Sequence, residues 1–179
     1  MAKEIERKFL VDLSKLNLKN ITHWTTKIEQ GYLNEDIQKT IRIRIEDEKF
    51  SHNDTLLCVV GTSPVTDCKI KKAFLTIKGK TENFTRDEFE YEIPYDDAKE
   101  LILMCDKIII KERITVKYEK YWTIDIFEGE NSGLVVAEIE LKKEKEKFSL
   151  PPWVTKEVSN DPRYYNVNLI NNPFSKWVN

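Results

Sequence analysis

The first residues that could do chemistry lie at the start of the chain, where Glu4, Glu6 and Lys8 alternate with Ile5 and Arg7. Alternate side chains of a β-strand point to opposite faces, so Glu4, Glu6 and Lys8 would share one face. Two carboxylates beside an ammonium group suit a surface that holds a metal ion and a polyanion together. An isolated pattern of this kind more often belongs to a solvated strand face, so its weight depends on whether it recurs.

Pairs of like charge do recur on one face of several predicted strands. A solvated antiparallel sheet would also place charge on one face, but like charges gain nothing from lying side by side in water. A closed barrel with a charged interior explains both the pairing and the mixture of acidic and basic strands. The pairs are Arg42 and Arg44, Lys78 and Lys80, Glu88 and Glu90, and Glu138 and Glu140.

Such an interior predicts a definite class of ligand. Arginine binds phosphate through two parallel hydrogen bonds and lysine binds it as a point charge, whereas carboxylates hold Mg²⁺ or Mn²⁺ through oxygen. Cations and carboxylates in similar numbers match a linear polyphosphate chelated by a divalent metal. A nucleotide base would require aromatic and amide groups, which are scarce on the charged faces.

Period-2 alternation dominates the chain and predicts a mainly β fold with few helices, in the α+β class. One helix is predicted over 95–106, with Asp97 and Glu100 as a capping box, and a shorter helical turn over 13–18. We expect 55–60 to form a hairpin with 69–75 around Pro64, and the tail from Pro151 to be irregular. Strands are predicted at 3–11, 25–33, 38–47, 55–60, 69–79, 85–94, 108–118, 121–128 and 134–142.

Composition narrows the function classes. The chain has 179 residues, enough for one domain over 1–179, and its net charge of −2 argues against a dedicated duplex nucleic-acid binder. Three cysteines without a C-x-x-C pair and only two histidines argue against a zinc site and favour a reducing compartment. Neither a signal peptide nor a membrane-spanning run is apparent, so we expect a cytoplasmic protein without membrane contact.

Motifs spread along almost the whole chain resemble the CYTH superfamily, the triphosphate tunnel metalloenzymes, and in particular its short single-domain inorganic tripolyphosphatases. Any one of them is weak, but they occur together and in order. The tail has Tyr165 where relatives usually have Lys. The matching segments are Glu4 to Leu10, Gly31 to Leu33, Arg42 to Arg44, Thr76 to Lys78, Arg86 to Glu90, Lys111 to Arg113, Asp125 to Gly129, Val136 to Glu140, Pro151 to Trp153 and Asp161 to Asn166.

The resemblance implies a closed eight-stranded antiparallel barrel, the triphosphate tunnel, with helices and the tail packed outside. It implies that Glu4, Glu6 and Glu140 hold Mg²⁺ or Mn²⁺, supported by Asp125 and Glu138. Glu88 and Glu90 would form a balancing pair in the tunnel, at a second metal. The triphosphate would be bound by Lys8, Arg42, Arg44, Lys78, Arg86 and Arg113, with Lys111 and Lys117 as auxiliaries.

The implied reaction is metal-assisted attack of water on a terminal phosphorus, with catalysis resting on Glu4, Glu6, Lys8, Lys78, Glu88, Glu90 and Glu140. Inorganic tripolyphosphate is the first expectation as substrate. The alternatives are an organic triphosphate (thiamine triphosphate, a nucleoside triphosphate or an RNA 5′-triphosphate), a CYTH-type adenylate cyclase, and a non-catalytic binder of polyphosphate or nucleotide. We expect a monomer or homodimer.

Overall fold

The computed structural model describes residues 3–19, 21, 23–36, 38–49, 59–60, 63–64, 69–80 and 85–177. Two α-helices accompany the strands in these ranges, α1 (Tyr95–Leu103) and α2 (Asn166–Asn171), together with single 3-10 turns. The strands are β1 (Lys3–Val11), β2 (His23–Asn34), β3 (Lys39–Lys49), β4 (Val59–Val60), β5 (Ser63–Pro64), β6 (Lys69–Gly79), β7 (Thr85–Glu92), β8 (Ile108–Tyr118), β9 (Lys120–Phe127), β10 (Val135–Glu140) and β11 (Val154–Glu157).

Eight of these strands close into an antiparallel barrel. Their order is β10-β9-β8-β2-β3-β6-β7-β1, and β10 pairs back with β1 to complete the ring. This confirms the predicted architecture. β11 is an additional strand that pairs with β1 beside the barrel, at Phe9 and Val11, where β7 no longer does.

The alternation in the sequence places charge inside and apolar side chains outside. On β9, for example, Trp122 and Ile124 are fully buried on the outer face, between the barrel wall and the segments that cover it. Trp122 packs edge-on against Trp153 of the tail, with ring centroids 5.5 Å apart. Both tryptophans therefore pack on the barrel exterior.

Helix α1 lies against the outside of the barrel, where Ala98 and Ile102 pack with Ile43, Ile45 and Ala73. The predicted capping box is wrong, because Asp97 lies inside the helix, which begins at Tyr95 as predicted and ends at Leu103, earlier than predicted. Pro94 occupies the N-cap position without a side-chain hydrogen bond, and Asp96 and Asp97 lie within the first turn. Acidic side chains there still interact favourably with the helix dipole. The helical turn predicted over 13–18 is a shorter 3-10 turn, Leu13–Lys15.

The tail is more ordered than predicted, because it contains β11 and α2. The expectation of an irregular tail is therefore wrong. Elements of four and six residues are too short to show a periodic pattern in the sequence, which is why they were not predicted. Helix α2 buries Leu169 and Ile170 against Ile109, Phe127 and other residues of the inward face of the barrel. These apolar contacts close one end of the barrel.

The hairpin predicted over 55–75 does not form within the described residues. Val59–Val60 pairs instead with Ser63–Pro64 in a short hairpin of its own. β6 pairs with β3 along its entire length, from Lys69 to Gly79. Residues 50–58, 61–62 and 65–68 lie outside the described residues, and with them Cys58, Cys68 and His52. None of the described helices is long and apolar enough to cross a membrane.

Candidate active site

The barrel encloses a cavity of about 740 Å³. Its walls contain all of the sequence-predicted site residues except Lys111, Asp125 and the auxiliary Lys117. Prediction from strand parity therefore brought together side chains from six strands in one space. The predicted residues that line it are Glu4, Glu6, Lys8, Arg42, Arg44, Lys78, Arg86, Glu88, Glu90, Arg113, Glu138 and Glu140.

The register between β1 and β10 creates an acidic wall. Glu6 lies opposite Glu140, and Lys8 lies opposite Glu138. Lys8 Nζ donates to Glu138 Oε1 and lies 2.7 Å from Glu6 Oε2. Burial and the neighbouring Glu138 charge raise the pKa of Glu6, although Lys8 opposes the shift. This wall carries more negative charge than Lys8 alone can neutralise.

A second group joins β1 to β6 and β7. Glu4 Oε2 accepts from Lys78 Nζ at 3.1 Å and from Arg86 Nε at 2.6 Å. Burial opposes ionisation of Glu4, but the charges of Lys78 and Arg86 outweigh it and lower the pKa of Glu4. Burial, reinforced by its hydrogen bond with Glu4, raises the pKa of Glu88 to about 7. Glu4 is therefore the ionised member of this carboxyl pair.

The third group lies where β3, β6 and β7 adjoin. Glu90 accepts hydrogen bonds from Arg42, Arg44 and Thr76, at distances between 2.9 and 3.2 Å. Thr76 is fully buried, and Arg42 is 6% exposed. Two guanidinium groups and a hydroxyl thus converge on one carboxylate.

Lys111 and Asp125 share the inward face of the barrel with Arg113 but are buried below the cavity and do not line it. Lys111 Nζ lies 2.5 Å from Asp125 Oδ2, and Arg113 makes two bonds to the same carboxylate, at 2.6 and 2.8 Å. Burial outweighs the Asp125 charge and lowers the pKa of Lys111 to about 8. Arg113 also reaches Glu138 at 3.1 Å and so links this buried pair to the cavity. The arrangement holds Arg113 in place.

Several residues that line the cavity or contact its charged groups were missed by sequence reasoning. Thr76 shares its strand face with Lys78, so parity alone could have identified it. Ser159 had no such signal, because its role depends on the fold of the tail. Its hydroxyl accepts from the Lys8 backbone N–H at 3.0 Å and donates to Glu157 at 2.7 Å. Tyr165 lines the cavity as well, and its hydroxyl donates to the Ser159 carbonyl.

Other residues considered in the sequence lie elsewhere. His23 begins β2, and its ring Nδ1 lies 2.8 Å from the Ile21 carbonyl oxygen, away from the cavity lining. Lys117, taken as an auxiliary cation, is exposed and does not line the cavity, although its ammonium group lies over the ring of Tyr121, which does.

The donor set suits a hard divalent cation. In the described part of the chain no three His, Cys, Asp or Glu side chains are already grouped at metal-binding distances, because most of the carboxylates are paired with cations. Glu140 is exposed and makes no ion pair with a described residue. Its position opposite Glu6 nevertheless provides oxygen ligands from two adjacent strands, the type that Mg²⁺ and Mn²⁺ prefer.

A closed antiparallel barrel with a mixed-charge interior defines a class, and comparison with known proteins identifies it. The model of the CYTH domain matches residues 2–170. The chain therefore belongs to the CYTH family. An inorganic triphosphatase from Acetivibrio thermocellus is 36% identical over 182 residues, which cover 99% of each chain.

Solved structures agree with this assignment. The crystal structure of an inorganic triphosphatase superposes with a TM-score of 0.57 at 25% identity, covering 95% of each chain. A protein from Pyrococcus horikoshii matches with a TM-score of 0.53 at 24% identity, over 79% of this chain and 80% of that one. The second likeness supports the fold alone.

Proposed function

We propose that this protein hydrolyses a triphosphate, and that inorganic tripolyphosphate is the substrate, with pyrophosphate and phosphate as products. The observation that carries the proposal is the cavity in which seven cationic side chains face a wall of carboxylates. The full-length likeness to an inorganic triphosphatase supports the same reaction.

The cations provide a binding surface for a chain of phosphates. Arg42, Arg44 and Lys78 come from β3 and β6, and Lys8, Arg86 and Arg113 from other strands of the ring. Guanidinium groups match the geometry of phosphate oxygens, and their charge in a partly enclosed space offsets the charge of the polyanion. Asp125, with Lys111 behind it, keeps the Arg113 guanidinium oriented.

The carboxylates of β1 and β10 provide the metal site. Glu4, Glu6 and Glu140 would hold Mg²⁺ or Mn²⁺, with Glu138 beside them and Asp125 supporting the site through Arg113. A bound divalent cation would withdraw charge from phosphate oxygens and orient the substrate. Substrate and metal would compete with the existing ion pairs, since Lys78 and Lys8 now neutralise Glu4 and Glu6.

The reaction is an in-line displacement at a terminal phosphorus. A bond forms from the water oxygen to phosphorus, and the bond from phosphorus to the bridging oxygen breaks, so pyrophosphate leaves. The side chains do little covalent chemistry in such a reaction, because positioning and charge neutralisation supply most of the catalysis. Lys8, Lys78 and the arginines would stabilise the charge on the transferred and leaving oxygens, while Glu88 and Glu90 balance the charge of the empty tunnel.

A turnover assay tests the proposal. Phosphate release should be measured with tripolyphosphate, ATP, thiamine triphosphate and pyrophosphate, each with Mg²⁺, with Mn²⁺ and with chelator. We expect turnover of tripolyphosphate that requires the metal. Lack of phosphate release from any triphosphate would contradict the proposed reaction.

An organic triphosphate is the second candidate, because uncharged polar groups line the part of the cavity formed by the β2–β3 connection and the tail. These are Gln38, Tyr165, Asn166 and Asn168. They could contact an attached organic group, and the same assay compares the two substrate classes. We further expect the protein to act in the cytoplasm, as a monomer or homodimer.

A further inference from the structure

The Glu90 carboxylate accepts hydrogen bonds from a group of donors that would also suit a phosphate group. Its Oε2 accepts from Thr76 Oγ1 at 2.9 Å and from Arg42 Nη2 and Arg44 Nη2 at 3.2 Å each. Its Oε1 accepts from Arg44 Nη2, also at 3.2 Å. A carboxylate and a phosphoryl group both present oxygens of negative charge to such donors, so the carboxylate stands where an anionic ligand would bind.

The donors are fixed and the acceptor is not. The side chains of Arg42 and Arg44 are 7% and 13% exposed, whereas that of Glu90 is 32% exposed. Thr76 is fully buried. The Glu90 carboxylate can therefore be rehydrated when a phosphate group replaces it. Without an anion in its place Arg42 would remain desolvated and unpaired, whereas Arg44 would keep Glu46, whose Oε1 lies 2.9 Å from Arg44 Nε.

The donors also have capacity that Glu90 leaves unused. The Nε of Arg42 is buried and has no hydrogen-bond partner among the described residues. A phosphate group has more acceptor oxygens than a carboxylate and carries more charge, so it can use donors that Glu90 cannot. Displacement of Glu90 by a phosphate group is thus favoured by both charge and hydrogen bonding.

We propose that Glu90 is an internal competitor for the Arg42–Arg44 phosphate subsite, and that it weakens the binding of every phosphate ligand there, so that the shorter products are released. This inference rests on the proposed function. A triphosphate contacts the other cations of the tunnel at the same time and can displace Glu90. Pyrophosphate or phosphate makes fewer of those contacts, and the tethered carboxylate then reoccupies the arginines and expels the product.

The test measures binding without metal, so that it does not depend on turnover. Pyrophosphate is titrated by calorimetry into the wild-type protein and the Glu90→Gln variant in chelator. We expect Glu90→Gln to bind pyrophosphate about three- to tenfold more tightly, because a charge-assisted, partly exposed contact no longer competes. Glu92→Gln is the matched control, since it removes one negative charge two residues away on the same strand and should bind as the wild type does.

A second variant keeps the test valid if Glu90→Gln folds poorly. Glu90→Asp retains the charge but shortens the side chain, and it should also bind pyrophosphate more tightly than the wild type. With metal present, both variants should show a lower KM for tripolyphosphate and stronger inhibition by pyrophosphate.

Affinities equal to those of Glu92→Gln, weaker affinities, or no pyrophosphate binding by any of the proteins would overturn the inference. If the wild-type protein hydrolyses tripolyphosphate but Glu90→Gln binds pyrophosphate no more tightly, this inference fails and the proposed function stands. Tighter pyrophosphate binding by Glu90→Gln in a protein without any triphosphatase activity removes the proposed function alone.

Discussion

At the scale of single residues, the tunnel holds each charge against a partner that a bound substrate or metal would have to replace. Lys8 bridges Glu6 and Glu138, and Lys78 bridges Glu4 and Glu88. Glu140 and Lys80 are the exceptions, because both are exposed and neither has an ion pair with a described residue. The unpaired Glu140 carboxylate suits the proposed metal site.

Glu140→Gln should abolish turnover and leave the fold intact. Loss of a carboxylate ligand weakens the hold on a cation whose contribution is several kcal/mol, so kcat should fall by on the order of a hundredfold or more. Removing one of several neighbouring negative charges should leave Tm unchanged or raised in chelator. Steady-state kinetics and thermal melts provide the measurement, with the exposed outer-face variant Glu112→Gln as control. Turnover at the parent rate in saturating metal would withdraw Glu140 from the metal site.

Arg7 and Glu157 form a pair outside the tunnel that makes stability depend on pH. Arg7 donates to Glu157 at 2.8 and 2.5 Å, and this bonding lowers the pKa of Glu157. A carboxyl group with a lowered pKa stabilises the fold above its ordinary value of about 4.3, and the contribution disappears as the pH falls through the lowered value. The contribution should be under about 1 kcal/mol, because solvent screens a side chain that is 37% exposed.

Glu157→Gln should therefore lower Tm slightly at pH 7 and leave it nearly unchanged at pH 3. Melting curves of wild type and variant across this range give the comparison. Glu130→Gln, a change in an exposed turn, should produce no such pH-dependent difference. A Tm deficit that stays constant from pH 7 to pH 3 would mean that the ion pair is not the cause.

At the scale of elements, the contact between β2 and the segment after α1 is the tightest at any described glycine. A Cβ built on Gly31 would lie 2.7 Å from both Cβ and Sγ of Cys105. The glycine in the Gly31-Tyr32-Leu33 motif therefore has a packing reason: it lets the end of α1 lie directly on the strand. The cavity residue Tyr32 is placed by the same strand.

Gly31→Ala should destabilise the protein by about 1–3 kcal/mol, because the added methyl group overpacks a contact in which the backbone near Cys105 must move. Gly79→Ala is the matched control, since its nearest neighbour would be an ordinary 3.7 Å away. Alanine there should be neutral or slightly stabilising, as expected for glycine replacement in a strand. Urea denaturation of the two variants makes the comparison, and equal midpoints would refute the packing explanation.

Alternation in the sequence was sufficient to predict the long strands and the face that each residue occupies. Arg42 and Glu140, far apart in sequence, were correctly expected in one cavity. The pattern could not separate residues that line the cavity from residues one layer deeper, so Lys111 and Asp125 were expected at the substrate and the metal. Whether they pair with each other depends on the register between β8 and β9, which cannot be read from the sequence. The helix α2 and the contact of Ser159 with Lys8 were not predicted, because they depend on how the tail packs against the barrel.

At the scale of the whole molecule, a triphosphate would bridge strands from opposite sides of the ring. The cations lie on β1, β3, β6, β7 and β8, so a ligand that contacts several of them joins strands that are not neighbours. A ligand that binds only the closed barrel raises the free energy of unfolding. The increase is about 2.7 kcal/mol when the ligand concentration is 100 times Kd.

Tripolyphosphate should therefore raise Tm of the wild-type protein, and Arg42→Ala should reduce that rise. The arginine contacts the ligand directly in the proposed site, so its loss raises Kd and KM more than it lowers kcat. Lys99→Ala, on the outer face of α1, should retain the full effect. Thermal melts with and without ligand provide the measurement. An unchanged ligand-induced shift in Arg42→Ala would remove Arg42 from the binding surface.

The pairing of β1 with β10 has a consequence for how the chain folds. Lys8 and Glu138 meet across 130 residues of sequence, so a chain emerging from the ribosome cannot close its barrel until nearly all of it has been made. Contacts of such long range are slow to form. The carboxylates of the proposed metal site come from these two strands, so we expect the site to be assembled late in folding. During refolding from urea, we expect triphosphatase activity to return only with the slowest phase, after the fluorescence of the buried tryptophans has begun to recover.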